Sequence, residues 1–253
     1  MKLFFAGMTD PGLVRSVNQD AFLLDPEGRF FVVADGMGGH AGGQEASRLA
    51  TEAMYAHFIR SWDTSDSAPD LLEQAFLKAN EAIVHDQKLH PERSDMGTTA
   101  VALLFRHGEV WCAHVGDSRL YRLRGAKLDQ ITTDHTWIAR AVQSGALTAE
   151  QARSHPMRHV LSQCLGREDH SEVDIQQIEV KPGDRLLLCS DGLTEELSDP
   201  LILNQMKTIR SCDMAAMALI NAAKERGGRD NITAVLVAVD SNSLSNNATP
   251  RSD

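Results

Sequence analysis

Strand-like and helix-like segments come in blocks along this chain, and that ordering limits the possible folds more than any single residue does. "LFFAGM", "DAFLLD" and "RFFVVAD" are short apolar runs, and Pro26, Glu27 and Gly28 between the last two read as a hairpin turn. Ala46, Leu49, Ala50, Ala53, Met54 and His57 then recur at helical spacing, as do Leu72, Ala75, Phe76, Ala79 and Ile83, with the polar "SWDTSDSAPD" between the two sets. "TTAVALLF", "EVWCAHVG" and "SRLYRLR", with turns at "RHG" and "RGAK", read as strands of an antiparallel meander.

The second half is more broken. "TWIARAVQSGAL" and "TAEQARSHP" are helical in pattern, Thr148 with Gln151 makes a capping box, and Pro156 breaks the pattern beyond them, so the segment suits a small flap. "KPGD" turns into "RLLLCSDG", Met214 to Lys224 reads as helix, and "NITAVLVAVD" is a final strand. The last thirteen residues, "SNSLSNNATPRSD", are polar enough to be expected disordered. With so little β-α-β alternation, the expected class is α+β with antiparallel sheets, not a doubly wound fold.

Composition narrows the function. The 253 residues carry a formal net charge of −10, which argues against a protein held to nucleic acid by phosphate contacts and favours cationic ligands. No apolar stretch approaches the roughly 18 residues of a spanning helix, and "MKLFFAGMTD" has too short an apolar segment for a secretory signal, so a cytoplasmic protein with no membrane partner is expected. Cys112, Cys164, Cys189 and Cys212 form no C-x-x-C pair and read as reduced core residues.

The chemistry gathers where apolar runs stop. "VVADGMGGHAGG" ends two β-branched residues in Asp35 and then has glycine at five of the eight positions from Gly36 to Gly43. Asp117 in "AHVGDSRL" and Asp191 in "LLLCSDGL" also come after apolar runs, and Asp230 in "GGRDNITAVLV" precedes one. Two carboxylates about 4 Å apart repel by roughly 4 kcal/mol at an effective dielectric of 20. A shared mouth would therefore need cations or raised pKa values, and all-oxygen ligation suits Mg²⁺ or Mn²⁺ better than zinc. The glycines lack the Gly-Lys-Ser/Thr ending of a phosphate-binding P-loop and do not match G-x-G-x-x-G. His155 and His159 are four apart, but Pro156 breaks the helix a metal pair would need.

"TDPGLVRSVNQDAF", "VVADGMGGHAGGQEAS", "DMGTTAVALL", "AHVGDSRLY", "LLLCSDGLTEEL" and "GGRDNITAVLV" together resemble the metal-dependent protein phosphatases, the PPM or type 2C family, in its small bacterial form. The resemblance implies a phosphatase domain over residues 1–240 with a flap at about 136–166, with the tail 241–253 after it. It also implies a four-layer α/β/β/α sandwich and hydrolysis of phosphoserine or phosphothreonine by water activated at a binuclear Mn²⁺/Mg²⁺ centre. Asp35 would bridge two tightly bound ions, Gly36 would lend its carbonyl, and Asp191 and Asp230 would complete the shell. Asp20 would hold water, and Asp117 with Asp191 would bind a third, weaker ion. Arg15 would clamp the substrate phosphate, as a guanidinium fork can, and His159 in the flap would touch substrate.

The larger eukaryotic members carry His after the Asp-Gly pair and Glu before the first Asp, where this chain has Met37 and Gln19. His40 or water would then supply the proton to the leaving group. Within the family the chain looks most like the enzymes that dephosphorylate the PII signalling protein, so phosphorylated proteins, phospho-PII among them, are the expected partners of a monomer. A phosphoprotein-binding module without turnover and a metal-dependent phosphodiesterase are the rival readings.

Overall fold

The computed structural model describes residues 1–39, 42–153, 155–157, 159–169 and 172–240. His40 and the tail 241–253 therefore lie outside the described residues. Among those described, no helix is long and apolar enough to cross a membrane.

The described residues form eleven strands, β1 (Leu3–Asp10), β2 (Asp20–Leu24), β3 (Phe30–Met37), β4 (Gly97–Thr98), β5 (Ala100–Arg106), β6 (Glu109–Val115), β7 (Arg119–Arg124), β8 (Lys127–Gln130), β9 (Asp174–Gln177), β10 (Arg185–Cys189) and β11 (Ile232–Val239). They form two antiparallel sheets, one ordered β1-β11-β10-β7-β8 and the other β2-β3-β5-β6-β9, with β4 on the end of β3. Helices α1 (Gly42–Ser61) and α2 (Ala68–Leu89) cover the second sheet. Beyond the short α3 (Trp137–Gln143) and α4 (Ala149–Arg153), helices α5 (Asp191–Glu196), α6 (Asp199–Thr208) and α7 (Cys212–Glu225) cover the first.

Strand periodicity builds the layers. Phe30 and Val32 point at α1 and α2, whereas Phe31 and Val33 meet Leu186, Leu188, Val235 and Val237 of the opposite sheet. The result is the expected α/β/β/α sandwich. Helix α2 opens at Ser67, whose hydroxyl accepts from the Asp70 amide, and buries Leu71, Leu72, Ala75, Phe76, Ala79 and Ile83 along one stripe. The capping box forms at Thr148 and Gln151, and all four cysteines are buried and outside any disulfide. Burial pushes the Cys112 and Cys189 thiols up to about 12, which leaves them unreactive at neutral pH.

The expected meander is not formed. Strands β5 and β6 pair, but β7 leaves that sheet and joins β10 and β8 in the other. The crossing is made at Gly116, whose φ of +102° favours glycine and where a Cβ would sit 2.5 Å from Thr99 Cγ2. Local alternation reveals a strand but not its partner. Strand β9 and helices α5 and α6 are elements that periodicity alone does not reveal. The β1–β2 connection also passes between sheets, so residues 11–19 and 116–118 both cross the sandwich.

Candidate active site

The apolar run of β3 ends in Asp35, whose cross-strand partner is Asp20 at the start of β2. The Asp35 backbone is fixed from the β4–β5 side: its carbonyl accepts from the Thr98 hydroxyl at 2.8 Å and the Thr99 amide at 2.9 Å, and its amide donates to Thr99 Oγ1 at 3.2 Å. Asp35 is thus inside a strand, one pairing beyond where the apolar pattern stops.

Asp20 Oδ2 accepts from Ser190 Oγ at 2.7 Å and Thr233 Oγ1 at 2.6 Å. Thr233 in turn is bonded to Thr9 and Thr9 to the Asn18 amide, so a polar relay ties β1, β2, β10 and β11 together. Asp20 Oδ1 is buried with no partner among the described residues. Burial raises the Asp20 carboxyl to about 7, against the two hydroxyl bonds and with help from the charges of Asp191 and Asp230.

The glycines after Asp35 allow close packing. A Cβ on Gly36 would lie 1.9 Å from the Gly43 carbonyl oxygen, and one on Gly43 would lie 2.7 Å from the Gly36 carbonyl oxygen. Helix α1 can start against β3 only because neither residue has a side chain. Ser47 on that helix donates to the Gln19 carbonyl at 2.6 Å, anchoring the residue before Asp20.

Three other acids arrive from three connections. Asp117 lies in the β6–β7 crossing, Asp191 opens α5 directly after β10, and Asp230 precedes β11. Asn231 braces this last segment, accepting from the Gln19 amide at 2.7 Å and donating to the carbonyls of Pro11 at 3.1 Å and Val17 at 3.0 Å. Arg15, on the segment so held, pairs with Asp230 at 2.8 Å, a bond that raises its already high pKa.

Arg15, Asp35, Gly36, Met37, Asp117, His159, Asp191 and Asp230 line one cavity of about 600 Å³. Asp20 does not line it but stands opposite Asp35. His159 Nδ1 lies 2.5 Å from Glu195 Oε1, which brings the flap to α5. Burial, then the neighbouring acids, holds Asp35 and Asp117 well above the usual carboxylate range, and burial raises Asp191 too. Crowded carboxyls, an orphaned buried oxygen on Asp20 and an all-oxygen donor set fit a site for hard divalent cations.

Sequence reasoning did not single out Thr99, Ser190, Asn231, Thr233, Ser162, Gln163 or Arg167. A usable signal existed for Thr233, a hydroxyl at a fully buried position of the most apolar strand. None existed for Arg167, which reaches the cavity from the end of the flap.

Residues 14–236 match the family model of protein phosphatase 2C. The chain is 39% identical over 240 residues to the serine/threonine protein phosphatase PstP of Mycobacterium tuberculosis, covering 94% of this chain and 45% of that protein. It therefore spans about half the length of that relative. To the Listeria monocytogenes serine/threonine phosphatase stp it is 34% identical over 237 residues, covering 92% and 94%. The crystal structure of the M. tuberculosis phosphatase PstP/Ppp superposes with a TM-score of 0.86 at 37% identity, over 94% of this chain and 99% of that one. The PstP catalytic domain in complex with two manganese ions superposes at 0.82 with 36% identity, over 94% and 99%.

Proposed function

The chain belongs to the protein phosphatase 2C family of serine/threonine phosphatases, and we propose that it hydrolyses phosphoserine and phosphothreonine in protein substrates at the cavity lined by Asp35, Asp117, Asp191 and Asp230. The observation that carries this reading is the convergence of those four carboxylates, three of them with raised pKa values, on one cavity. Asp35, the Gly36 carbonyl, Asp191 and Asp230 would hold two divalent ions and Asp117 with Asp191 a third, and ions so bound supply Lewis-acid chemistry and an activated water.

The chain's own groups do the rest. Arg15 is half-exposed at the rim with its guanidinium turned to Asp230, where the same fork can take phosphate oxygens and hold the ester in one orientation. Asp20, fixed through Oδ2, keeps Oδ1 free to accept a hydrogen bond from water and so to orient it. His159 lines the cavity from the flap side and would contact the substrate beside the phosphate. Met37 cannot move a proton, so the leaving serine oxygen takes its proton from His40 or from water.

The test is hydrolysis of a phosphoserine peptide and a small aryl phosphate, with and without Mn²⁺, by the wild type and Asp191→Ala. Turnover that needs metal and collapses in the variant is expected; Mn²⁺ binding without turnover would overturn the reading. The PII signalling protein is the finer substrate reading, resting on overall resemblance alone. Phospho-PII left intact while another phosphoprotein is cleared would reject it.

A further inference from the structure

Gly116, one residue before Asp117, is gripped on both its polar groups by a single residue. His135 donates its backbone N–H to the Gly116 carbonyl at 2.9 Å, and its ring Nδ1 accepts from the Gly116 N–H at 3.2 Å. The other ring nitrogen, Nε2, lies 3.1 Å from Asp174 Oδ2 at the start of β9. A backbone N–H can only donate, so Nδ1 presents a lone pair and the ring proton sits on Nε2, facing the carboxylate. Gln163 agrees: the Arg140 guanidinium and the Glu172 carbonyl assign its amide with the oxygen towards Arg140, and in that orientation its nitrogen donates to the same Nδ1 at 2.9 Å.

The His135 backbone also reaches a second stretch of the cavity lining. Its carbonyl accepts from the Ser162 N–H at 2.8 Å, and Ser162 and Gln163 both line the active-site cavity. The ring stacks on the buried His114 with centroids 4.5 Å apart, so it has little room to turn.

Together His114, His135 and Asp174 offer ligand atoms within 4.8 Å of one another, which invites a metal reading. The proton assignment argues against it, because a metal would need a lone pair on His135 Nε2 and the donors at Nδ1 put the proton there.

We propose that His135 is a positioning residue for the phosphatase reaction: oriented by Asp174, it fixes the Gly116 peptide that carries Asp117 and ties that crossing to the flap-side wall at Ser162. The proposal rests on the phosphatase reading of the cavity. A glycine at φ +102° has wide backbone freedom, and the two bonds from His135 remove it at the residue before an acidic site group.

The experiment compares His135→Asn, His135→Phe and Asp174→Ala in the full chain, reading Mn²⁺ binding by electron paramagnetic resonance, Mn²⁺ dependence of turnover, and Tm. An Asn carbonyl can still accept from Gly116, whereas a Phe ring cannot. His135→Phe is expected to weaken the loosest class of Mn²⁺ sites about tenfold, the scale found for groups that orient metal ligands, with His135→Asn recovering most of the loss. Asp174→Ala, at a half-exposed carboxylate where misfolding is not expected, should show a smaller shift in the same direction. A lowered Tm with unchanged Mn²⁺ binding in all three, or equal losses in Asn and Phe, overturns the proposal. If the wild type binds Mn²⁺ but hydrolyses no phosphoester, the phosphatase reading fails while the binding data still decide the role of His135.

Discussion

Asp20 and Asp35 face each other directly across the β2–β3 ladder, two acids where a sheet normally places an attractive pair. The consequence is a pH-dependent stability in the absence of metal. Burial first, and the other acids second, hold these carboxyls above the unfolded value of about 3.9. Their contribution is fully present below that value and is lost as pH rises through the folded pKa, about 7 for Asp20. Each pKa unit corresponds to about 1.4 kcal/mol. Protein stripped by a chelator should therefore melt higher at pH 5.5 than at pH 8, and Mn²⁺ should raise Tm most at pH 8. Asp35→Asn should raise the metal-free Tm at pH 8 and abolish most of the Mn²⁺ increment. A Tm independent of both pH and metal would reject the electrostatic account.

The opposite pH sign applies to Asp25, between β2 and β3. Its side chain is fully buried, and Arg29 reaches both oxygens at 2.9 Å while Tyr55 donates at 3.2 Å. Burial would raise this carboxyl, but the Arg29 bonds outweigh it and the net shift is downward. A depressed pKa stabilises above the unfolded value and is lost as pH falls through the folded one. Arg29→Met leaves a buried uncompensated charge and should cost about 3–5 kcal/mol near pH 7 in chemical denaturation. The gap to the wild type should narrow below about pH 4; an equal gap at both pH values would mean that Arg29 acts by packing on Phe58 and Trp62 instead.

The range of each signal decides how much of the fold is legible in the sequence. Short apolar runs bounded by turn residues identify β1, β2, β3, β5, β6, β10 and β11, and the 3.6-residue stripe identifies α1, α2 and α7. Partner choice is a long-range property, so the move of β7 to the other sheet cannot be read from "SRLYRLR". Strand β9, "DIQQ", is a polar edge strand whose pairing with β6 supplies its order. In the site, acids at the ends of apolar runs stand out because a charge there has few structural uses. Thr99, Ser190 and Thr233 do not, because Thr233 is an ordinary strand residue and Thr99 and Ser190 stand just outside strands, where a hydroxyl is ordinary turn chemistry.

Gly43 tests the close approach between α1 and β3. Replacing a helical glycine with alanine ordinarily stabilises by about 1 kcal/mol. Here the new Cβ would meet the Gly36 carbonyl oxygen at 2.7 Å and the Gln19 amide at 2.8 Å. Gly43→Ala should instead destabilise by about 1–3 kcal/mol, the range for overpacking. It should weaken Mn²⁺ binding as well, because the displaced group is the carbonyl proposed to hold the metal. Gly39→Ala is the control, since a Cβ there meets nothing within 4 Å among the described residues, and its stability should change by less than about 0.5 kcal/mol. Equal behaviour of the two variants would show that the α1–β3 contact yields at little cost.

Asn80 is a buried amide on α2 whose polar atoms all serve the backbone at the end of the flap. Its Oδ1 accepts from the amides of Gly166 at 2.7 Å and Arg167 at 3.2 Å, and its Nδ2 donates to the Arg167 carbonyl at 2.9 Å. Leu165, next to them, is held to Thr98 by two backbone bonds, and Thr98 is held to Asp35, so this loop and the acid cluster share one frame. Asn80→Ala leaves three backbone groups to find new partners and should cost about 1–3 kcal/mol. Because Arg167 lines the cavity rim, the kinetic loss should be larger for a phosphopeptide than for a small aryl phosphate. Measured side by side, KM for the peptide should rise severalfold while KM for the aryl phosphate stays close to the wild-type value. A uniform fall in kcat for both substrates would mean instead that the disturbance has travelled through Thr98 to Asp35, and that the loop supports the acids and not the binding of the protein substrate.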